Sequence, residues 1–381
     1  MTSGCGTAAE NRLLYFSPVF WRSYAQRPHY FAEYFLSNVG SRVLWVDPYL
    51  SRLPKMSDLR QTPRLHDQNT RTLPGLQVRG VPALPVEPLP GGMAVNALLF
   101  WRPLWKALEQ FCAGGRTVIG VGKPTGLAMK ALEALPHCGS FFDAMDDFPQ
   151  FHSGLSRRAV QKYEEGIARR VDEIYASSTF LVHKWSSIHG RVTRIFNACD
   201  TRNLGELPIA PRSSTPHFGY LGSVASWFDW GLLLDLARAF PEARVHLVGP
   251  VFTPPPSRLP ENVVLHAACP QEEVKAYYDT FTLGLIPFKL NPLTRGVDPI
   301  KYYEYRAHGL PVLTTPFGEM ADRSRENGVF VLEGGDSLKG AVRNAMAFKD
   351  DAGSVGRFRE ENNWPHRLKS SGAFGPNLLN R

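Results

Sequence analysis

Cysteine is scarce: five residues in 381, odd in number, widely spread and with no C-x-x-C pair. That argues against a disulfide framework or a structural zinc site and points to a reducing compartment. No stretch reaches the ~20 apolar residues that a membrane-spanning helix needs. The first ten residues are small and polar, and the apolar run at 13–21 is broken by Ser17 and Pro18, so no secretory leader is expected. The eleven histidines form no H-x-x-x-H or H-x-H pair, and no metal is expected. There is no low-complexity tract, and no repeat beyond an alternation of strand-like and helix-like segments.

What is present is an ordinary globular composition, 43% hydrophobic and 20% charged, in a chain long enough for two domains. The charge is uneven. Residues 1–200 carry 23 Lys and Arg against 16 Asp and Glu, and residues 201–381 carry 20 against 19, so nearly all of the +8 lies in the first half. A polyanion, a membrane surface or a phosphorylated ligand would account for that excess.

The first half reads as strand 12–18, helix 24–39 and strand 42–46, a βαβ unit that argues for a parallel sheet covered by helices. Strands follow at 76–81, 117–121, 140–144, 173–177 and 194–197, with helices at 127–135 and 161–171. Residues 201–216, with three prolines and little periodicity, read as a linker. A second series then places strands at 217–221, 244–248, 263–266, 283–287, 312–314 and 328–332. Its helices fall at 232–240, 271–278, 300–308 and 337–347. Past 357 the tail is helical, then polar, and its last ten residues are expected to be disordered. The architecture is two doubly wound α/β domains, whose ligands bind outside the carboxyl ends of the strands and in the cleft that two such domains face.

Three segments carry chemistry. Residues 298–313 (DPIKYYEYRAHGLPVL) read as a helix opened by Pro299 and closed by Gly309, with Lys301 and Glu304 on one face of its first turn. A helix N-terminus and a lysine suit a phosphate, and a carboxylate one turn later suits a ribose diol. The plainer reading is a surface Lys/Glu pair. Residues 141–151 (FFDAMDDFPQF) end a strand in Asp143, Asp146 and Asp147, where a base that deprotonates an attacking hydroxyl belongs, though such acids also cap turns. Residues 94–111 pack Phe100, Trp101, Trp105 and Phe111 beside Arg102 and Lys106, which suits a membrane interface or a partly buried helix that Pro103 starts or kinks. Residues 42–79 add seven basic residues against three acids.

Residues 298–313 resemble the donor motif of GT-B glycosyltransferases of the group 1/family 4 type, as found in bacterial polysaccharide assembly. Residues 217–232, 244–250 (RVHLVGP), 283–288 (LGLIPF) and 196–200 (FNACD) extend the resemblance, which covers about 140–365. The fold it implies is GT-B, α/β, with two Rossmann-like doubly wound domains facing a cleft. An acceptor domain takes 1–205, a linker 206–216, a nucleotide-sugar domain 217–355, and a C-terminal helix and tail 356–381. The resemblance implies that Gly222 and Ser223 let the backbone approach a diphosphate, with Gly249 in the next glycine turn. It implies that Arg295 and Lys301 neutralise the leaving group, that Glu304 holds the ribose, and that 246–250 and 266–270 line the base pocket mainly through backbone groups. The E-x7-E pair of retaining members lacks its first acid, which is Gly296 here. Residues 141–151 resemble the acid-bearing strand end of the xanthan-type glucuronosyltransferase, which puts the base at Asp146, with Asp147 and Asp143 as alternatives. In the loop at 21–29 (WRSYAQRPH), Arg22, Gln26 and Arg27 are expected to touch an acceptor.

The implied activity is transfer of a sugar from a UDP- or GDP-sugar, UDP most of all, without a metal or other cofactor. The acceptor is a carbohydrate or a polyprenyl-diphosphate-linked oligosaccharide of capsule or exopolysaccharide synthesis. The expected place is the cytoplasm, with the anionic inner face of the cell membrane as a peripheral site. A sugar-nucleotide epimerase of the same fold, or a non-catalytic sugar-nucleotide-binding partner of a transferase, are the alternatives. No nucleic-acid module is present.

Overall fold

The computed structural model describes residues 10–54, 71–202, 204–206, 214–333 and 337–379. The chain forms two compact units. The first is Met1–Ser177 with Leu181–Ile195 and Leu368–Arg381; the second is Ser178–Phe180 with Phe196–Arg367. The structural division thus falls at Phe196, ahead of the expected linker, of which residues 207–213 lie outside the described residues, as do the expected leaderless start at 1–9 and the basic stretch at 55–70.

In the first unit seven strands form one parallel sheet. They are β1 (Asn11–Phe16), β2 (Arg42–Val46), β3 (Leu76–Arg79), β4 (Arg116–Val121), β5 (Gly139–Ala144), β6 (Glu173–Ala176) and β7 (Val192–Arg194). Their order is β3-β2-β1-β4-β5-β6-β7, so the winding reverses between β1 and β4. Loops at the carboxyl ends of strands beside such a reversal are where an open α/β sheet takes its ligand. Covered on both faces, the central strands read as apolar runs rather than alternating ones; Leu13, Leu14, Tyr15, Ile119 and Phe141 are all fully buried.

The second unit repeats the plan with six parallel strands in the order β10-β9-β8-β11-β12-β13. They are β8 (His217–Leu221), β9 (Arg244–Val248), β10 (Val263–His266), β11 (Leu283–Ile286), β12 (Val312–Thr314) and β13 (Val329–Val331). The winding reverses between β8 and β11. Two doubly wound α/β units are therefore what the sequence pattern required.

Three expectations need correction. The last strand of the first unit is Val192–Arg194, not 194–197, because its ladder to β6 ends at Arg194 and the backbone N–H of Asn197 is taken by Asp298 at 2.6 Å. Pro103 does start a helix, one of the two expected outcomes: it lies in the first turn of Arg102–Ala113, where a missing N–H costs nothing, and a separate helix Gly92–Leu99 precedes it. Helices Thr179–Ser186 and Trp364–Ser370 were not foreseen. The expected disorder of the last ten residues does not hold for those described: helix Pro376–Leu379 follows Phe374, whose buried ring meets Phe31, Phe35 and Phe141 edge-on at 5.3–5.9 Å. The Tyr175 hydroxyl accepts a hydrogen bond from the Phe374 N–H at 3.2 Å, fixing this segment in the core of the first unit.

Candidate functional site

At the carboxyl end of β5 the three aspartates have different surroundings. Asp143 is fully buried and paired with Arg27, whose Nε donates to Oδ1 at 2.7 Å; the Tyr15 hydroxyl donates to Oδ2 at 3.1 Å. Asp147, 8% exposed, accepts from Lys184 Nζ at 2.8 Å and from Gln150 Nε2 at 3.1 Å. Lys184 also binds the buried Glu164 at 2.6 Å. Asp146 is half-buried and has no hydrogen bond or ion pair among the described residues. Its carboxyl is pushed up to about 7, first by loss of water and then by the Asp143 charge, with Arg27 opposing and Asp147 adding. Two of the three acids are spent on cations, so Asp147 and Asp143 are poor candidates for a base.

The loop after β1 needs a correction too. Arg27 has no exposed surface: besides Asp143 it donates through Nη1 to the Ile195 carbonyl at 2.6 Å, and its guanidinium carbon lies 4.9 Å from the Phe31 ring centre. A guanidinium so enclosed is not an acceptor contact on the surface. Gln26 is half-buried and caps helix Arg27–Asn38, its N–H donating to His29 Nδ1 at 3.1 Å. Burial pushes His29 down to about 4, so it is neutral and able to accept that bond. Arg22 alone of the three expected contacts is exposed.

In the second unit three of the expected donor residues, Gly222, Gly249 and Lys301, lie together. Gly222 (φ +146°) follows β8 and Gly249 (φ +134°) follows β9, both in backbone regions that L side chains rarely adopt. A Cβ on Gly222 would lie 2.6 Å from Lys301 Nζ, and one on Gly249 would lie 2.5 Å from the Gly222 carbonyl oxygen. Two glycine turns and the lysine thus share one spot at the carboxyl edge of the sheet. Ser223 contributes its backbone carbonyl to the Tyr220 hydroxyl at 2.8 Å, which leaves no structural task for its own hydroxyl among the described hydrogen bonds.

Helix Ile300–Ala307 begins beside this spot. Lys301, half-buried in its first turn, stands 5.4 Å over the Tyr220 ring and has no ion pair or hydrogen bond among the described residues. Burial pushes its ammonium below the usual lysine value, and only the Glu304 charge opposes. Glu304 is held by the Tyr278 hydroxyl, which donates to Oε2 at 2.8 Å. Arg295 is exposed, its guanidinium carbon 4.8 Å from the Phe180 ring centre. Asp298 is structural: it binds Arg323 at 2.8 Å, Tyr303 at 3.0 Å and the Asn197 N–H.

Sequence reasoning missed the long-range partners: Arg27 of Asp143, Tyr278 of Glu304, and a ladder of histidine side chains. His217 Nδ1 meets His246 Nε2 and His246 Nδ1 meets His266 Nε2, each at 3.0 Å, across β8, β9 and β10. The segments at 246–250 and 266–270, expected to act through backbone groups, thus also contribute linked rings. Burial holds all three imidazoles low, His246 at about 4, so the ladder is a run of neutral rings. No sequence spacing signals it, because the rings come from three separate strands.

No protein-family model matches the chain. Among curated proteins, the putative teichuronic acid biosynthesis glycosyltransferase TuaH of Bacillus subtilis (strain 168) is 26% identical over 179 residues, 43% of this chain and 45% of that protein. The chain therefore matches less than half the length of this relative. Solved structures match over nearly the whole chain. Sucrose-phosphate synthase from Thermosynechococcus elongatus has TM-score 0.66 at 14% identity, covering 96% of this chain and 98% of its own. Anabaena HepE, solved with UDP and glucose, has TM-score 0.59 at 13% identity, covering 94% and 98%. AviGT4, a glycosyltransferase involved in avilamycin A biosynthesis, has TM-score 0.58 at 13% identity, covering 97% and 98%. With two parallel α/β sheets of this order, the chain has the GT-B glycosyltransferase fold.

Proposed function

We propose that the protein is a glycosyltransferase that moves a sugar from a nucleoside diphosphate, UDP first and GDP second, to a hydroxyl of a carbohydrate. The observation that carries the donor assignment is Lys301: a half-buried ammonium with no ion pair among the described residues, set against two glycine turns at a helix N-terminus. A cation kept from water without a counter-ion is costly, and a diphosphate supplies the missing charge. Glu304, steadied by Tyr278, accepts the ribose hydroxyls. In the reaction the acceptor O–H gives its proton to the Asp146 carboxylate and its oxygen bonds to the anomeric carbon. The bond from that carbon to the phosphate oxygen breaks, and the electron pair leaves on the diphosphate. Lys301, Arg295 and the helix dipole stabilise that charge without a metal. The solved relative with bound UDP and glucose and the relative named for teichuronic acid synthesis support the reading.

The test is a screen of UDP- and GDP-sugars with oligosaccharide and polyprenyl-diphosphate-linked acceptors, read as released nucleoside diphosphate. Release that requires acceptor is expected. Conversion of UDP-GlcNAc with no acceptor would indicate an epimerase instead, and no release from any donor would remove the transferase reading.

The reading extends to a peripheral place on the anionic inner face of a membrane, with a lipid-linked acceptor for capsule or exopolysaccharide synthesis. No helix among the described residues is long and apolar enough to cross a membrane. Helix Gly92–Leu99 nevertheless leaves Leu98 and Leu99 each 62% exposed, with Val95, Leu89 and Leu84 also exposed. The buried Asn96 amide binds both the N–H and the carbonyl of Leu84, at 2.8 and 3.0 Å, and so sets that leucine beside the helix. Residues 88–101 carry no charge, whereas Arg102 and Lys106 just beyond are exposed. Apolar insertion beside cations suits an anionic bilayer, whereas a second copy would bring like charges together. Vesicles of anionic phospholipid at low salt are expected to retain the protein and to lose it on Leu98→Asp with Leu99→Asp. Equal retention of this double variant would remove the patch from the reading.

A further inference from the structure

We propose that Arg27 and Asp143 form a buried positioning pair for Asp146, and that the unspent Nη2 donors of Arg27 receive the Asp146 carboxylate as it works. The inference rests on the reading of Asp146 as the proton acceptor and names what governs that residue.

The pair is built like a support rather than a surface bridge. Both side chains have no exposed surface, the Nε–Oδ1 distance is 2.7 Å, and the second Asp143 oxygen is held by Tyr15. Burying two charges in this way is costly, and a pair of apolar side chains would usually serve stability as well. The guanidinium is also not fully used. Nε goes to Asp143 and Nη1 to the Ile195 carbonyl, but Nη2 is buried with no partner among the described residues. A buried donor left unpaired costs ~1–3 kcal/mol, which a second carboxylate would recover. Asp146 follows Asp143 through a turn closed by the Met145 N–H on the Asp143 carbonyl at 3.0 Å. It also lies within the electrostatic reach of both members, Arg27 favouring its charged form and Asp143 opposing it.

The other charged groups around Asp146 are accounted for. Asp147 is neutralised by Lys184, which also holds Glu164. Tyr15 is turned towards Asp143, and burial pushes its phenol well above the usual value, so it stays an O–H donor. The variable element is therefore the sum of one cation and one anion beside a carboxyl that titrates near neutrality. A base must be ionised to act, so activity rises with pH through the carboxyl's titration, and that acid limb reports on the pair.

The test is the pH profile of kcat/KM for Asp143→Asn, which keeps the side chain's shape and one acceptor oxygen for Arg27 but removes the anion and turns the second acceptor position into a donor. With Arg27 left in excess, the acid limb is expected to move down by at least ~1 pH unit, a tenfold change in proton affinity. An active variant with its limb in place overturns the proposal. Should Asp143→Asn fail to fold, Arg27→Met with Asp143→Leu replaces the pair by apolar side chains. It is then expected to lower kcat at least tenfold with donor KM unchanged, and an unchanged kcat overturns the proposal. An active Asp146→Asn variant would instead remove the reading of Asp146 itself, so the two failures are distinguishable.

Discussion

Replacing Asp146 by asparagine lowers turnover by ~10²–10⁴, the range for removing a general base, while calorimetric affinity for the nucleoside diphosphate stays as in the parent protein. Asparagine keeps the volume and polarity of the side chain but cannot take a proton. The carboxyl sits at about 7 because it is shielded from water and faces the Asp143 anion, so a large fraction is ionised at neutral pH yet still basic enough to accept a hydroxyl proton. Asp146 carries no described hydrogen bond, so its loss does not break a structural network; Asp147, bound by Lys184 and Gln150, has such a role. Near-normal turnover of the variant, measured as released diphosphate, would place the base elsewhere.

The second large effect belongs to Lys301→Ala, which is expected to weaken nucleoside diphosphate binding about 100-fold, or ~2.7 kcal/mol. Removing one partner of a buried charge pair typically costs 2–5 kcal/mol, and the lower part of that range applies because Arg295 and the helix N-terminus remain. The apo protein should be no less stable, since the ammonium has only the Tyr220 ring beneath it and burial already disfavours its charge. Unchanged affinity by calorimetry would remove the donor assignment.

The sheet strands were legible wherever β-branched and aromatic runs lay between glycine or proline signals. Five strands, at Arg42–Val46, His217–Leu221, Arg244–Val248, Val263–His266 and Val312–Thr314, have the expected bounds. Helix starts were less legible. Gly154–Ala168 is preceded by Ser153, a usual opening residue, but it begins at a glycine without an acid in its first turn, and the expectation began at 161. At the proposed donor site, Lys301 was suggested by its place in a helix's first turn and the glycine turns by the family resemblance, and the structure gives both glycines positive φ. The acid site was readable only as three candidates. What separates them is the supply of buried cations, and Arg27 lies 116 residues from Asp143 while Lys184 lies 37 from Asp147. The histidine ladder was invisible for the same reason: its bonds span 29 and 20 residues and depend on which strands become neighbours.

The return of Leu368–Arg381 to the first unit has a consequence for the order in which the chain matures. Synthesis runs from the N-terminus, and domains commonly fold as they emerge. Here the aromatic cluster of Phe31, Phe35 and Phe141 waits for a ring made after the whole of Phe196–Arg367. Until then Gly139 on β5 also lacks the Leu378 backbone that packs so closely on it that a Cβ would lie 2.0 Å from its carbonyl oxygen. The unit that the ribosome starts first is thus the one it allows to finish last, and the second unit can settle before the core of the first is sealed.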